Sequence, residues 1–377
     1  MTLSPLERFL VIGGGLIGLS IAHQLARKGK KVVILSRRRN EAAGFVAAGM
    51  LAPHAEGLEN NLLKLGQLSL EKQSSWVDEI EKDSGLSCGL RKCGIIVPFL
   101  NCFDRDNYPT IKYGEPLNKI ELEQEIPGIA SQWQGGILFN QDGQIDNRRL
   151  LMRALEKACF ELGVKFEEGV EVLDVLQSFQ TFQGVLIRTA EGEIKSLQGK
   201  EGILCSGAWT NQLLKELPIY PVKGQMLSIQ GPRKALKRII FGPGTYLVPR
   251  EDGLIVVGAT SEPNAGFVDG LTPNGQIQLQ KGIMSLMPEA SNWPHMERWW
   301  GFRPCTPDES PILGMSSING LWLATGHYRN GVLLAAITAK LLRKCICEEL
   351  LDNQEKELLT AFKWNRFEKI KMRAPKT

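Results

Sequence analysis

Val11-Ile12-Gly13-Gly14-Gly15-Leu16-Ile17-Gly18, entered from the apolar Phe9 and Leu10, reads as a strand that turns tightly into a helix. A short β-branched run precedes the glycines, and Leu19-Ser20-Ile21-Ala22 follows at helical spacing. Gly13 permits the turn, Gly15 lets backbone approach a pyrophosphate, and Gly18 lets the new helix pack on the strand. Unpaired N–H groups at the helix start then face phosphate. His23 to Lys28 continues the helix, Gly29 stops it, and Lys31 to Leu35 forms a second buried strand, which completes a βαβ unit. A dinucleotide at the helix start is the expectation, and a structural turn with no ligand is its competitor.

About twenty residues past the first glycine an Asp or Glu is expected to grip the ribose hydroxyls. The strand ends instead in Ser36-Arg37-Arg38-Arg39. A hydroxyl followed by arginines suits a 2'-phosphate, so an NADP-dependent reductase is an alternative here, as is a solvated basic loop with no ligand.

The chain has 377 residues, enough for two packed units. Its formal charge of +4 is small and dispersed, which argues against nucleic acid as a partner. Eight cysteines, at 88, 93, 102, 159, 205, 305, 345 and 347, show no metal-ligand spacing, so no metal site is expected. The first strand begins almost at once with no signal-peptide layout, which makes a reducing cytoplasm the expected compartment. Leu333 to Leu342 is the most apolar late stretch, but Lys340 interrupts it and it is too short to span a bilayer, so no membrane partner is expected.

Ala42 to Gly57 is small, apolar and almost uncharged, and reads either as a loop against a large flat ligand or as a buried loop. Leu62 to Ser84 has helical periodicity, Cys88 to Leu100 and Gly136 to Phe139 look like strands, and Asp146 to Leu162 is helical. In that last helix Asn147 is the expected cap, with Leu150, Leu151, Ala154, Leu155 and Ala158 on one face. Strands follow at Val164 to Phe166, Val170 to Leu176, Gly184 to Thr189 and Gly202 to Cys205, the last running into Ser206-Gly207-Ala208-Trp209. From Pro218 to about Trp300 the pattern is mostly strand-like, and the chain closes with a strand at Leu321 to Ala324, a glycine-bounded turn at Gly326 to Gly331 and a helix at Val332 to Leu351.

Six separated motifs then resemble one family in order: V-I-G-G-G-L-I-G (11–18), A-A-G-M-L-A-P-H-A-E (47–56), L-P-I-Y-P-V-K-G-Q (217–225), Y-L-V-P-R (246–250), G-F-R-P-C-T-P-D (301–308) and G-H-Y-R-N-G-V-L-L (326–334). Over nearly its full length the chain is similar to the flavin-dependent oxidases of the D-amino-acid oxidase and sarcosine oxidase group, and within it to the glycine oxidases of thiamine biosynthesis. The resemblance implies an α/β plus α+β fold, with a Rossmann-type FAD-binding domain assembled from 1–85, 146–216 and 318–377 and an antiparallel-sheet substrate domain from 86–145 and 217–317.

It also implies non-covalent FAD held by Gly13, Gly15, Leu16, Ile17, Gly18, Ser36 and Arg37 at the phosphate and ribose end, and by Val172 and Gly207 nearby. Ala43, Gly44, Ala48, Gly49 and Met50 would line the flavin. Tyr328, Arg329, Asn330, Gly331, Val332, Leu333 and Leu334 would hold its pyrimidine edge. Arg303 would fork onto the carboxylate of a small amino acid, with Tyr246 and Arg329 completing the grip, since a guanidinium matches that geometry and an ammonium does not.

The reaction implied is transfer of hydride from the Cα of glycine to flavin with O2 as final acceptor. No side-chain base is needed, His54 and His327 being positioning residues. The imine would supply thiazole formation with a thiazole synthase as partner, or hydrolyse, and the chain would form a homo-oligomer, as tetramers are frequent in the group. Ser36 departs from the acid usual at the end of the second strand, and Cys305 lies away from the position where sarcosine oxidase relatives attach FAD. A tRNA-wobble-modifying oxidoreductase is a further alternative, although Arg37 to Arg39 is the only basic run.

Overall fold

The computed structural model describes residues 7–368. Residues 1–6 and 369–377, assigned above to the first unit, lie outside the described residues. Arg8–Ile12 forms strand β1, Leu16–Arg27 helix α1 and Lys31–Ser36 strand β2, with β1 and β2 parallel and Leu10 opposite Val33. Leu19, Ile21 and Leu25 of α1 are fully buried, each contributing about 1.5–3 kcal/mol relative to an exposed side chain. Gly29, at φ 71°, ends α1 in the left-handed region.

A six-stranded sheet grows around the pair in the order Ile312–Met315, Leu321–Thr325, Glu201–Leu204, β1, β2, Lys165–Glu168. It is parallel except for Ile312–Met315, which runs against Leu321–Thr325. That strand falls in a stretch expected in the second unit; Ile312 and Leu313 are buried, which ties it to the first sheet instead. The helices Asn60–Ser84 (α2), Met152–Glu161 and Gly331–Ile346 pack with α1 over one face.

The second large sheet has eight strands, ordered His295–Cys305, Tyr220–Gln230, Leu254–Gly258, Thr245–Pro249, Ile239–Gly242, Ile95–Phe99, Gly135–Phe139, Glu115–Asn118. All neighbours are antiparallel except Ile239–Gly242 and Ile95–Phe99. Two three-stranded sheets complete the fold, one of which pairs Met50–Leu51 with Gly143–Ile145 and so ties the small-residue loop to the middle of the chain.

Three local expectations are corrected. The strand-like reading of 218–300 missed a helix at Pro273–Leu286, capped by Thr272, whose hydroxyl accepts from Gly275 N–H at 3.1 Å. Its two glycines disguise it; a Cβ on Gly275 would meet Gln225 Nε2 at 2.4 Å, and one on Gly282 would meet Thr245 Oγ1 at 1.9 Å. Leu279, Ile283 and Leu286 bury the face that covers the sheet. Asn147 is not a cap: Asp146 accepts from Arg149 N–H at 3.3 Å, while the fully buried Asn147 amide donates to Gly44 C=O. The long-range bond to the loop outcompetes the local one, and Leu150, on the expected buried face, is 38% exposed. The last long helix stops at Ile346, five residues early, because Glu348 turns left-handed at φ 55°.

Candidate active site

Both large sheets contribute to one cavity of about 420 Å³, within the range of small-molecule sites. At one end Gly13, Gly15, Leu16 and Ile17 line it. Gly13, at φ 115°, has no room for a side chain because a Cβ would lie 2.5 Å from Cys205 C=O. The first N–H groups of α1 have no partners within the helix, and the N-cap Gly15 brings no side chain to satisfy them. That leaves the helix dipole and bare donors turned to the cavity, the arrangement a pyrophosphate requires. Gly18 does not line the cavity; its missing Cβ would clash with Gly13 C=O at 1.9 Å, so its task is to let α1 sit against the turn.

Ser36, Arg37, Val172 and Gly207 line the next portion. The three consecutive arginines are already engaged: Arg37 with Glu41 at 3.1 Å and Glu171 at 3.5 Å, Arg38 with Glu41 at 3.0 Å, and Arg39 with Glu156 at 2.8 Å and Glu168 at 2.5 Å. Arg37 also lies over the Trp209 ring, 5.7 Å from its centroid. These charges are spoken for by protein carboxylates, which removes the reason to expect a 2'-phosphate.

Ala43, Gly44, Ala48, Gly49 and Met50 line the cavity too, so the first part of the small-residue loop faces the cavity, while Leu51, Ala52 and Ala55 are buried in the core. Its carbonyls are held from outside: Asn147 donates to Gly44, Trp299 Nε1 to Val46 at 2.9 Å, and Arg250 to Ala48 at 2.6 Å. From the other terminus come Tyr328, Arg329, Gly331 and Val332, where the Gly331–Ile346 helix begins. Asn330, Leu333 and Leu334 do not reach the cavity. Asn330 C=O accepts the Leu334 N–H at 2.8 Å, Leu333 C=O accepts the Ser69 hydroxyl at 2.5 Å, and both leucines lie in the core.

Arg303, Tyr246 and Arg329 share the far portion. Arg303 Nη1 donates to Thr260 C=O at 3.0 Å, which aims the guanidinium from His295–Cys305 across the neighbouring strand. Phe241 stacks on Tyr246 with ring centroids 6.4 Å apart. Burial raises the Tyr246 phenol above its usual range while Arg303 and Arg329 pull it down. His327 also lines the cavity, but burial pulls its imidazole down to about 3, so it stays neutral. His54 is buried beside Asp142, its Nδ1 2.6 Å from Oδ1, and does not line the cavity. Cys305 points its Sγ toward Tyr220 Oη at 3.4 Å, away from the lining.

Sequence reasoning missed Glu56, Gly224, Thr260, Trp209 and Phe302 as lining or supporting residues. Glu56 and Gly224 stood inside quoted motifs, whereas Thr260, in a plain G-A-T-S run, carried no local signal.

The residues fit an FAD. A bare helix start, a run of Cβ-free positions and an elongated lining from Gly13 to Arg303 are what a flavin dinucleotide needs. The sequence matches the family described as DAO, FAD dependent oxidoreductase, over residues 8–344. It is 40% identical over 373 residues to the Bifunctional protein ThiO/ThiG of Trichormus variabilis, covering 96% of this chain and 55% of that one. The chain thus spans about half the length of the bifunctional relatives it matches. It is 30% identical over 347 residues to the glycine oxidase of Pseudomonas aeruginosa, covering 89% of this chain and 93% of that one. The crystal structure of glycine oxidase from Geobacillus kaustophilus aligns with a TM-score of 0.86 at 27% identity, over 96% of this chain and 99% of that one.

Proposed function

Because the chain belongs to the DAO family of FAD-dependent oxidoreductases, we propose that it oxidises glycine, or an amino acid of similar size, to the imine. FAD, when bound, supplies the acceptor for the hydride leaving Cα and passes the electrons to O2, giving hydrogen peroxide. The chain's own residues bind and orient. Arg303 and Arg329 meet the substrate carboxylate, Arg303 in a forked contact, and the Tyr246 hydroxyl donates a third hydrogen bond. The observation that carries this reading is the Arg303 guanidinium fixed on Thr260 C=O within a cavity it shares with Arg329 and Tyr246.

Met226 and Phe241 present apolar surface to the cavity, and a substrate seated against them sheds water, which strengthens the electrostatic grip. Catalysis is then mainly positioning and charge placement. The FAD is held without a covalent bond, since Cys305 is turned away from the lining. Released into water, the imine hydrolyses to glyoxylate and ammonia. Passed to a thiazole synthase in the cytoplasm, it supplies thiazole formation in thiamine biosynthesis, a link supported by relatives named Bifunctional protein ThiO/ThiG. Neither NADP-dependent reduction nor tRNA modification is favoured, because Arg37, Arg38 and Arg39 are paired internally. Product analysis tests the proposal: glycine and O2 should yield peroxide, glyoxylate and ammonia in equal amounts, and peroxide formed without glyoxylate would overturn it.

A further inference from the structure

Arg303, Arg329 and Tyr246 account for the substrate carboxylate, but one acid in the same cavity has no task. Glu56 lines it beside them. The other acids of the lining are paired: Glu41 with Arg37 and Arg38, and Glu171 with Arg37 and Arg188. Among the described residues Glu56 enters no ion pair. Its backbone is nevertheless fixed. Glu56 N–H donates to Ala52 C=O at 3.0 Å, and the Asp142 carboxylate accepts from the N–H groups of His54 at 3.2 Å and Ala55 at 2.7 Å. The Tyr108 hydroxyl holds Ala55 C=O at 2.6 Å. On this rigid loop burial disfavours the Glu56 carboxylate, and the guanidinium groups of Arg329 and Arg303 across the cavity offset that only in part, so a further cation beside it is favoured.

An amino acid brings such a group, since its ammonium travels with the carboxylate. Resting on the glycine-oxidation reading above, we infer that Glu56 receives the substrate ammonium and takes its proton, delivering the neutral amine whose lone pair the oxidation requires. The step balances: one N–H bond breaks and one O–H bond forms, so an ammonium and a carboxylate become an amine and a carboxylic acid, with no electrons exchanged. The surroundings suit the exchange. Burial raises the Glu56 carboxyl to about 7, against the pull of Arg329 and Arg303 and with a further push from Asp142, itself beside His54. Tyr246 and Tyr108 are the remaining titratable neighbours, and burial raises both phenols, so they stay protonated. A carboxyl poised near neutrality accepts and returns a proton at little cost.

The test uses the flavin-loaded enzyme and Glu56→Gln. For the wild type, kcat/KM for glycine should rise with pH and level off near 7. For Glu56→Gln it should be lower by roughly 10²-fold at pH 7, and should keep climbing until the free ammonium titrates. Glu56→Asp, which keeps a carboxyl, should keep a plateau. Glycolate, a carboxylate of glycine's size without an ammonium, should perturb the flavin spectrum of Glu56→Gln with an affinity at least equal to the wild type's. An unchanged pH profile in Glu56→Gln, or equal losses for glycine turnover and glycolate binding, would overturn the assignment to Glu56 alone. A wild type that oxidises no small amino acid would overturn the glycine reading and this step with it.

Discussion

The Arg303 guanidinium occupies the room that Gly224 leaves, because a Cβ on Gly224 would stand 2.4 Å from Arg303 Nη1 and 2.6 Å from its central carbon. The two residues lie on paired strands, where Val222 is opposite Arg303 and Gly224 opposite Gly301. A missing side chain on one strand therefore sets where the guanidinium of the next, the proposed carboxylate anchor, can lie.

Gly224→Ala should push that guanidinium off the Thr260 carbonyl without touching the nucleotide end of the cavity. The expected result is a rise of about tenfold or more in the KM for glycine, equivalent to about 1.4 kcal/mol, with the flavin-to-protein absorbance ratio unchanged. Steady-state kinetics beside a spectrum of each purified variant checks it, and equal KM values would contradict it.

Gly13→Ala attacks the other end. At φ 115° with Cys205 C=O 2.5 Å from the added Cβ, the turn has to move. Loss of roughly 2 kcal/mol or more of stability is expected, together with loss of bound flavin, because the same turn presents the free N–H groups. Thermal unfolding and the visible spectrum read the two effects, and a yellow, equally stable variant would contradict both.

His327 makes stability depend on acid. Its Nε2 lies 3.0 Å from Thr338 Oγ1, and burial lowers its pKa from 6.5 to about 3. Below 6.5 the unfolded chain binds a proton that the folded chain refuses, so this contribution is complete above 6.5 and is lost as pH falls toward 3. The slope is at most about 1.4 kcal/mol per pH unit. Denaturant unfolding between pH 4 and 7 should show a shallower dependence for His327→Gln than for the wild type; parallel curves would contradict the assignment.

The βαβ opening was legible because its signals are local: an apolar run, glycines at fixed offsets and helical periodicity lie within one short stretch. The Pro273–Leu286 helix was hidden, since its glycines serve contacts with Thr245 and Gln225 that only the folded chain contains. The late turn was found, but Leu333 and Leu334 were placed with the cofactor when a helix that starts at Gly331 sends consecutive side chains around its axis, and these two into the core. Arg303 was readable through its motif. Glu56 stood in a motif as well, yet a lone acid after His54-Ala55 has no pattern of its own, and the role proposed for it depends on Arg303 and Arg329, 247 and 273 residues further along the chain.

The most direct measurement is an anaerobic titration of the yellow protein with glycine, run beside Arg303→Lys. The wild type should lose its flavin absorbance as glycine is added, one glycine supplying the two electrons that one flavin accepts, and return to yellow when O2 is admitted. Arg303→Lys keeps a positive charge but not the fork, so it should hold its flavin and bleach roughly 10²-fold less efficiently. If the two proteins bleach alike, or if glycine and other small amino acids leave the wild type yellow, a carboxylate anchored by Arg303 in an FAD cavity is not what this chain provides.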